Sequence, residues 1–132
     1  MNYMFNLNRG DALRQSILGV EARYEIGGTE RFEGMTLKVI NELVRNNFLD
    51  LAHSFNNSPT MGYFKNFMEK YPNEGLTAHG YQISPEREDY DVSIEGLEAS
   101  STNAGFISDF AKTFSNADEL DSECGKQRCW YD

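Results

Sequence analysis

The chain has 132 residues, of which 39% are hydrophobic and 13% aromatic, and it carries a formal net charge of −9. A chain of this length usually forms one domain with its own core, and its aromatic content excludes a disordered protein. The negative charge disfavours nucleic acid and anionic membrane surfaces as partners, because both carry negative charge themselves.

The first segments in chain order are an arm and an ambiguous element. We expect residues 1–10 to form an irregular arm, and residues 11–25 to form a helix that Asp11 caps. Helical spacing is seen at Leu13, Ile17, Val20 and Tyr24, whereas residues 18–26 also alternate in a way typical of a strand. We favour the helix because Leu13 and Ile17 lie outside the alternating run, but the strand remains an alternative for 11–26.

A second helix is predicted over residues 36–48. Residues 27–35 are rich in glycine and charge, which is typical of a connection, and Thr36 is a preferred N-cap. The apolar stripe of this helix consists of Leu37, Ile40, Leu43, Val44 and Phe48.

A third helix is predicted over residues 58–71. Ser58 is a preferred N-cap, and Pro59 suits the first helical position because its missing N–H would have no partner there. Pro72 prevents the helix from continuing. The apolar residues at helical spacing are Met61, Phe64, Met68 and Tyr71.

Two strands are predicted over residues 76–84 and 89–99. In the first, His79, Tyr81 and Ile83 share one face, and in the second, alternate apolar residues up to Ile94 do the same. The polar residues between the strands predict a long hairpin loop. The apolar parity slips at Gly96, which indicates a β-bulge.

The last two elements are a helix over 103–115, which Asn103 caps, and a short strand over 128–131. We expect this strand to pair with the hairpin, which would place Trp130 in the core and make a three-stranded antiparallel sheet. Three strands are about the minimum for a stable sheet. The order of elements predicts one small α+β domain with the helices packed on the sheet.

The negative charge is concentrated in the last third of the chain. Residues 1–85 contain nine acidic and eight basic residues, whereas residues 86–132 contain twelve acidic and four basic ones. Such a field attracts a basic protein partner, although it can also serve solubility alone. The candidate partner-binding residues are Glu86, Glu88, Asp89, Asp91, Asp118, Glu119, Asp121 and Glu123. This pattern predicts a non-enzymatic protein-binding or inhibitory module.

The alternative function is a small, hydrolase-like enzyme in which His79 works with a nearby carboxylate. Histidine beside an acid is the usual pair for general acid–base catalysis, but no nucleophile or phosphate-binding motif accompanies it. Cys124 and Cys129 could bind zinc with His53 and His79 only loosely, because no second paired knuckle follows. We therefore predict no catalytic residue, no metal and no cofactor.

The sequence also bears on location. No signal peptide is expected, because asparagines interrupt the apolar residues of the first segment, and no run approaches the roughly 18 apolar residues of a membrane span. Two cysteines do not make a disulfide framework. We expect a cytoplasmic protein with free thiols and no membrane contact, and the oligomeric state is left open.

Overall fold

The computed structural model describes residues 10–20 and 28–132, and it confirms the α+β class. The described helices are α1 (Asp11–Leu18), α2 (Leu37–Arg45), α3 (Met61–Lys70) and α4 (Ala104–Thr113). The described strands are β1 (Thr29–Met35), β2 (Thr77–Ile83), β3 (Val92–Ala99), β4 (Glu119–Glu123) and β5 (Lys126–Trp130).

The five strands form one antiparallel sheet in the order β1-β2-β3-β5-β4. The described helices pack on one face of this sheet. We call the other face the open face. Its side chains include Arg31, Glu33, His79, Tyr81, Glu95, Glu98, Glu119, Asp121, Arg128 and Trp130.

The prediction of three strands was wrong, because the sheet has two further strands at its edges. β1 falls in the segment 27–35 that we expected to be a connection, and β4 falls in the acidic run before the last strand. Edge strands carry charged side chains that discourage pairing with other chains. Both segments therefore lack the apolar alternation by which a strand is recognised in the sequence. The predicted pairing of the last strand with the hairpin is confirmed by β3 and β5.

The helix boundaries differ from the prediction at α1, α2 and α3. Helix α2 ends at Arg45 and not at residue 48, and the N-cap position of α1 is taken by Gly10 and not by Asp11 as predicted. Helix α1 ends at Leu18, because Gly19 adopts a left-handed conformation with φ of 72° and caps it. Residues 21–25 of the predicted helix lie outside the described residues, and so does most of the predicted arm at 1–10.

Helix α3 begins three residues later than predicted, because Thr60 caps it instead of Ser58. The Thr60 hydroxyl accepts a hydrogen bond from the Tyr63 amide at 3.2 Å. The Ser58 hydroxyl accepts from the Phe55 amide at 3.0 Å and stabilises the preceding turn. The predicted caps at Thr36 and Asn103 are confirmed for α2 and α4.

The core lies between the sheet and the helices α3 and α4, and it is rich in aromatic rings. Phe64 stacks on Phe114 with centroids 5.8 Å apart, and Phe110 packs edge-on against Phe67 at the same separation. The predicted apolar residues Met61, Phe64, Met68 and Ile94 are buried there, and Tyr71 at the end of α3 packs against this core half-buried. Trp130 is the exception, since β5 places it half-buried on the open face between the buried Cys129 and Tyr131.

A bulge in β3 sets the two faces of the sheet. His79 pairs with Gly96 and Gly80 pairs with Ile94, so Glu95 is the extra residue of the bulged strand. The bulge predicted at Gly96 is thereby confirmed. It returns Leu97 and Ala99 to the face that packs on the helices, where both are buried.

The faces of β2 are the reverse of what its side chains indicate. The more apolar set of His79, Tyr81 and Ile83 lies on the open face, and Ala78 lies in the core. Gln82 is fully buried on the helix side, where it is hydrogen-bonded to Gln15 and Glu30. A buried amide with several hydrogen bonds substitutes for the apolar residue that this position would otherwise need.

Arg14 of α1 ties this helix to the ends of the hairpin strands. Its guanidinium is completely buried and donates to the carbonyl oxygens of Ile83 at 2.7 Å and Asp91 at 3.1 Å. It also pairs with Asp11 at 3.0 Å and lies 4.0 Å from the centroid of the Tyr90 ring. These contacts compensate the cost of burying the charge.

The aromatic core provides the first prediction. Phe110 has no exposed surface, so Phe110→Ala should lower the free energy of unfolding by about 3–5 kcal/mol through lost burial and a cavity. The control Leu13→Ala removes a side chain that is 48% exposed and should change the stability by under about 0.5 kcal/mol. Denaturant unfolding of both variants measures the difference, and equal midpoints would contradict the placement of α4.

Candidate functional site

The open face contains a cavity of about 350 Å³ between β1, β2, β3 and β5. This volume lies at the lower end of the range of about 300–1,000 Å³ that is typical of small-molecule sites. The cavity is lined by Arg31, Phe32, Glu33, His79, Gly80, Glu95, Glu98, Arg128 and Trp130. Charged groups of both signs and the indole ring of Trp130 therefore meet on a face that the described helices leave uncovered.

The bulge makes room for the imidazole of His79 in this cavity. Because His79 pairs with Gly96, its ring occupies the space that a side chain at position 96 would need. A Cβ atom on Gly96 would overlap the carbonyl oxygen of Cys129 and come within 2.6 Å of His79 Nε2. Glycine at position 96 is thus required both by β5 and by the histidine.

His79 is buried and electrically neutral. Only 9% of the residue is exposed, and neither ring nitrogen has a hydrogen-bond partner of normal geometry among the described residues. Burial and, to a smaller extent, the nearby Arg128 lower the pKa of His79 to about 4, against the opposing effect of the Cys129 carbonyl and Glu33. At neutral pH the ring is therefore uncharged and a weak base.

Glu95 is the acid that the bulge turns into the cavity. Its side chain is almost fully buried and forms an ion pair with Arg31, whose own side chain is 69% exposed. Burial raises the pKa of Glu95, while Arg31 and the Trp130 side chain, as hydrogen-bond donors, oppose this shift. The carboxylate thus already accepts hydrogen bonds from two groups of the protein, Arg31 and Trp130.

Sequence reasoning missed most of this cavity. Arg31 and Glu33 fell in a predicted connection, and Trp130 was predicted to lie in the core. A usable signal was present, since Arg31 and Glu33 alternate with Phe32 in the manner of a strand with one polar face.

The eight predicted acidic residues lie on two different parts of the fold. Glu86, Glu88, Asp89 and Asp91 belong to the β2–β3 loop and its junction with β3, and the others belong to β4 and the residue before it. β5 separates β4 from β3 in the sheet. All are exposed except Asp91, which is half-buried.

Several of these acids have basic neighbours. Asp89 pairs with Arg87 at 2.6 Å, Glu119 with Arg128 at 3.0 Å, and Asp121 with Lys126 at 3.6 Å. Glu86, Glu88 and Glu123 form no ion pair with a described residue. The last three therefore keep their charge available to a partner.

His53 lies within ion-pairing distance of a carboxylate, whereas His79 has no carboxylate of a described residue at that distance. Its Nε2 is 3.7 Å from Asp91 Oδ2, in a second cavity of about 320 Å³ that Glu88 and Asp89 also line. Burial raises the pKa of Asp91, and His53 opposes this shift. This pairing of His53 was not predicted, because the two residues are 38 positions apart in the chain and only the fold brings them together.

The four residues considered for zinc are not brought together. Cys129 is buried on the helix side of β5, whereas His79 lies on the open face and His53 lies beside Asp91. Burial raises the pKa of the Cys129 thiol to about 12, which disfavours the thiolate that zinc requires. Within residues 10–20 and 28–132, no group of three or more candidate ligands is placed to hold a metal ion.

No family model matches the sequence, and neither the curated proteins nor the solved structures provide a significant match. Among the described residues, no helix is both long enough and apolar enough to cross a membrane. Function must therefore be argued from the site itself.

The lowered pKa of His79 predicts a pH dependence. A folded pKa of about 4 against an ordinary value of 6.5 means that the unfolded chain binds the proton first. Stability should therefore fall as the pH drops from about 6.5 to 4, by roughly 3 kcal/mol from this group. NMR titration of the His79 ring measures its midpoint, and the variant His79→Asn should lose this part of the pH dependence. A midpoint above pH 6 would contradict the buried, neutral ring.

Gly96 provides a steric prediction. Gly96→Ala should lower the free energy of unfolding by about 3 kcal/mol, because the new methyl group overlaps the backbone of β5. Gly105→Ala is the matched control, since its Cβ meets only the Asn103 side chain at 3.4 Å and alanine suits a helix. Thermal unfolding that ranks the two variants equally would show that the bulge is misplaced.

Proposed function

We propose that this chain is a non-enzymatic, cytoplasmic protein-binding or inhibitory module that docks on a basic protein through its acidic C-terminal third. The observation that carries the proposal is the exposure of the acids in the β2–β3 loop and on β4. Two of the loop acids, Glu86 and Glu88, form no ion pair with a described residue. An exposed, uncompensated charge costs self-repulsion, and a complementary partner removes that cost.

The location of the acids fits a docking role. The loop joins two neighbouring strands inside the sheet. At its two ends, the carbonyl oxygens of Ile83 and Asp91 accept hydrogen bonds from Arg14. A charged loop on such a rigid base can steer a partner without being remodelled. Cys124 and Cys129 are both free thiols, as expected for a reducing compartment.

The enzymatic alternative is supported by one observation and weakened by two. A cavity does hold His79 with Glu33, Glu95 and Glu98, as an acid–base site would require. However, the pKa of His79 is about 4, which is too low for an efficient base at neutral pH. Glu95 is also held by Arg31. The binding function is therefore the better proposal.

The test compares what the parent protein and two charge variants capture from host extract. Glu86→Gln with Glu88→Gln should lose the partner or slow its association by roughly tenfold at low salt, because steering is removed. It should also flatten the salt dependence of the association rate, which stopped-flow or biosensor measurements report. Folding should be unaffected, since exposed charges contribute little to stability.

The matched control is Glu42→Gln with Glu69→Gln, which removes the same charge from α2 and α3 outside the acidic third. This control should retain the partner at nearly the parental rate. A captured protein that binds all three forms equally, at a rate that ignores ionic strength, would reject the proposal.

A further inference from the structure

Some of the charged side chains in the open-face cavity form ion pairs within the protein, and others do not. Both of its arginines have carboxylate partners, since Arg31 pairs with Glu95 and Arg128 pairs with Glu119 at 3.0 Å. Glu33 and Glu98 also line the cavity, and neither carboxylate forms an ion pair or hydrogen bond with a described residue. The charge that remains available in the cavity is therefore negative.

The other groups in the cavity favour the same kind of ligand. His79 is uncharged and nine-tenths buried, and its ring nitrogens have no partner of normal geometry among the described residues. It therefore adds polarity to the cavity without adding positive charge. Trp130 presents a half-buried indole ring beside the two free carboxylates. Tryptophan is the best aromatic partner for a cation, and a partly desolvated site strengthens that contact.

The cavity is small and lies on the open face. Its volume of about 350 Å³ is suited to one side chain or a small molecule and not to a cofactor. The charged head of a lysine or arginine could reach Glu33 and Glu98 while its aliphatic part lies against Trp130. Arginine in particular forms two parallel hydrogen bonds with a carboxylate and stacks on aromatic rings.

We propose that this cavity binds the guanidinium or ammonium group of an arginine or lysine side chain that the basic partner presents. This inference rests on the proposed function, and it adds a specific anchor to a surface that otherwise acts by charge alone. The acids of the β2–β3 loop raise the rate of encounter, whereas a side chain held in the cavity slows dissociation.

Trp130 makes the test direct, because it is the only tryptophan in the chain. The capped tripeptide acetyl-Gly-Arg-Gly-amide is titrated into the full chain at constant ionic strength while tryptophan fluorescence is recorded. We expect a saturable change, and none with the same peptide containing citrulline, which is nearly isosteric but uncharged. NMR shifts of the Trp130 indole N–H follow the same titrations and detect binding even where the fluorescence is silent.

The cavity variant is Glu33→Gln with Glu98→Gln, which should weaken binding of the arginine peptide by about tenfold or more. Glu42→Gln with Glu69→Gln is the matched control, because it removes the same charge from residues that neither line the cavity nor belong to the proposed docking surface. It should leave the affinity within about twofold. The melting temperatures of both variants show that each is folded.

The proposal would be overturned by the absence of a saturable response in both measurements, by equal responses to the arginine and citrulline peptides, or by unchanged affinity in the cavity variant. Free arginine that binds where the capped peptide does not would also overturn it, in favour of a small-molecule ligand. Since the peptide test needs no natural partner, its failure is distinct from failure of the capture experiment, which depends on Glu86 and Glu88.

Discussion

The extra residue in β3 is the constraint on which both faces of the sheet depend. With Glu95 bulged out between Ile94 and Gly96, the strand keeps Leu97 and Ala99 in the core after the parity of its apolar residues has slipped. The same bulge places Glu95 and the bare Cα of Gly96 opposite His79, and so creates the polar cavity. A regular strand would have exposed Leu97 and closed the space in which the imidazole lies.

The negative charge of the last third is not all on the surface. Part of it is internal, since Asp109 binds Lys70 Nζ at 2.7 Å and the Tyr71 hydroxyl at 2.6 Å, and these donors lower its pKa. Glu95 is likewise held by Arg31. The exposed acids of this third lie mainly on the hairpin loop and on β4. Net charge alone therefore overstates the surface available to a partner, and the proposed docking role depends on the smaller, exposed set.

The sequence was most informative where local chemistry decides structure. The caps at Thr36 and Asn103, the helical spacing of Met61, Phe64 and Met68 and the bulge at Gly96 were all predicted, because each depends on neighbouring residues. The cavity was not predictable in the same way. Its lining comes from four strands, of which β1 lies more than 40 residues before its partner β2 in the chain, and Arg31 had been placed in a connection.

The amino-acid sequence by itself determined the α+β class, the positions of most helices and the concentration of negative charge after residue 85. The tertiary structure decided which face of β2 is buried, because Gln82 is accepted into the interior only through its hydrogen bonds to Gln15 and Glu30. It also decided that β1 and β4 are strands. An edge strand forms because a neighbouring strand provides its hydrogen bonds, and it does not require an alternating apolar pattern. Finally, it set the charge state of His79, whose pKa depends on burial and on Arg128 of another strand.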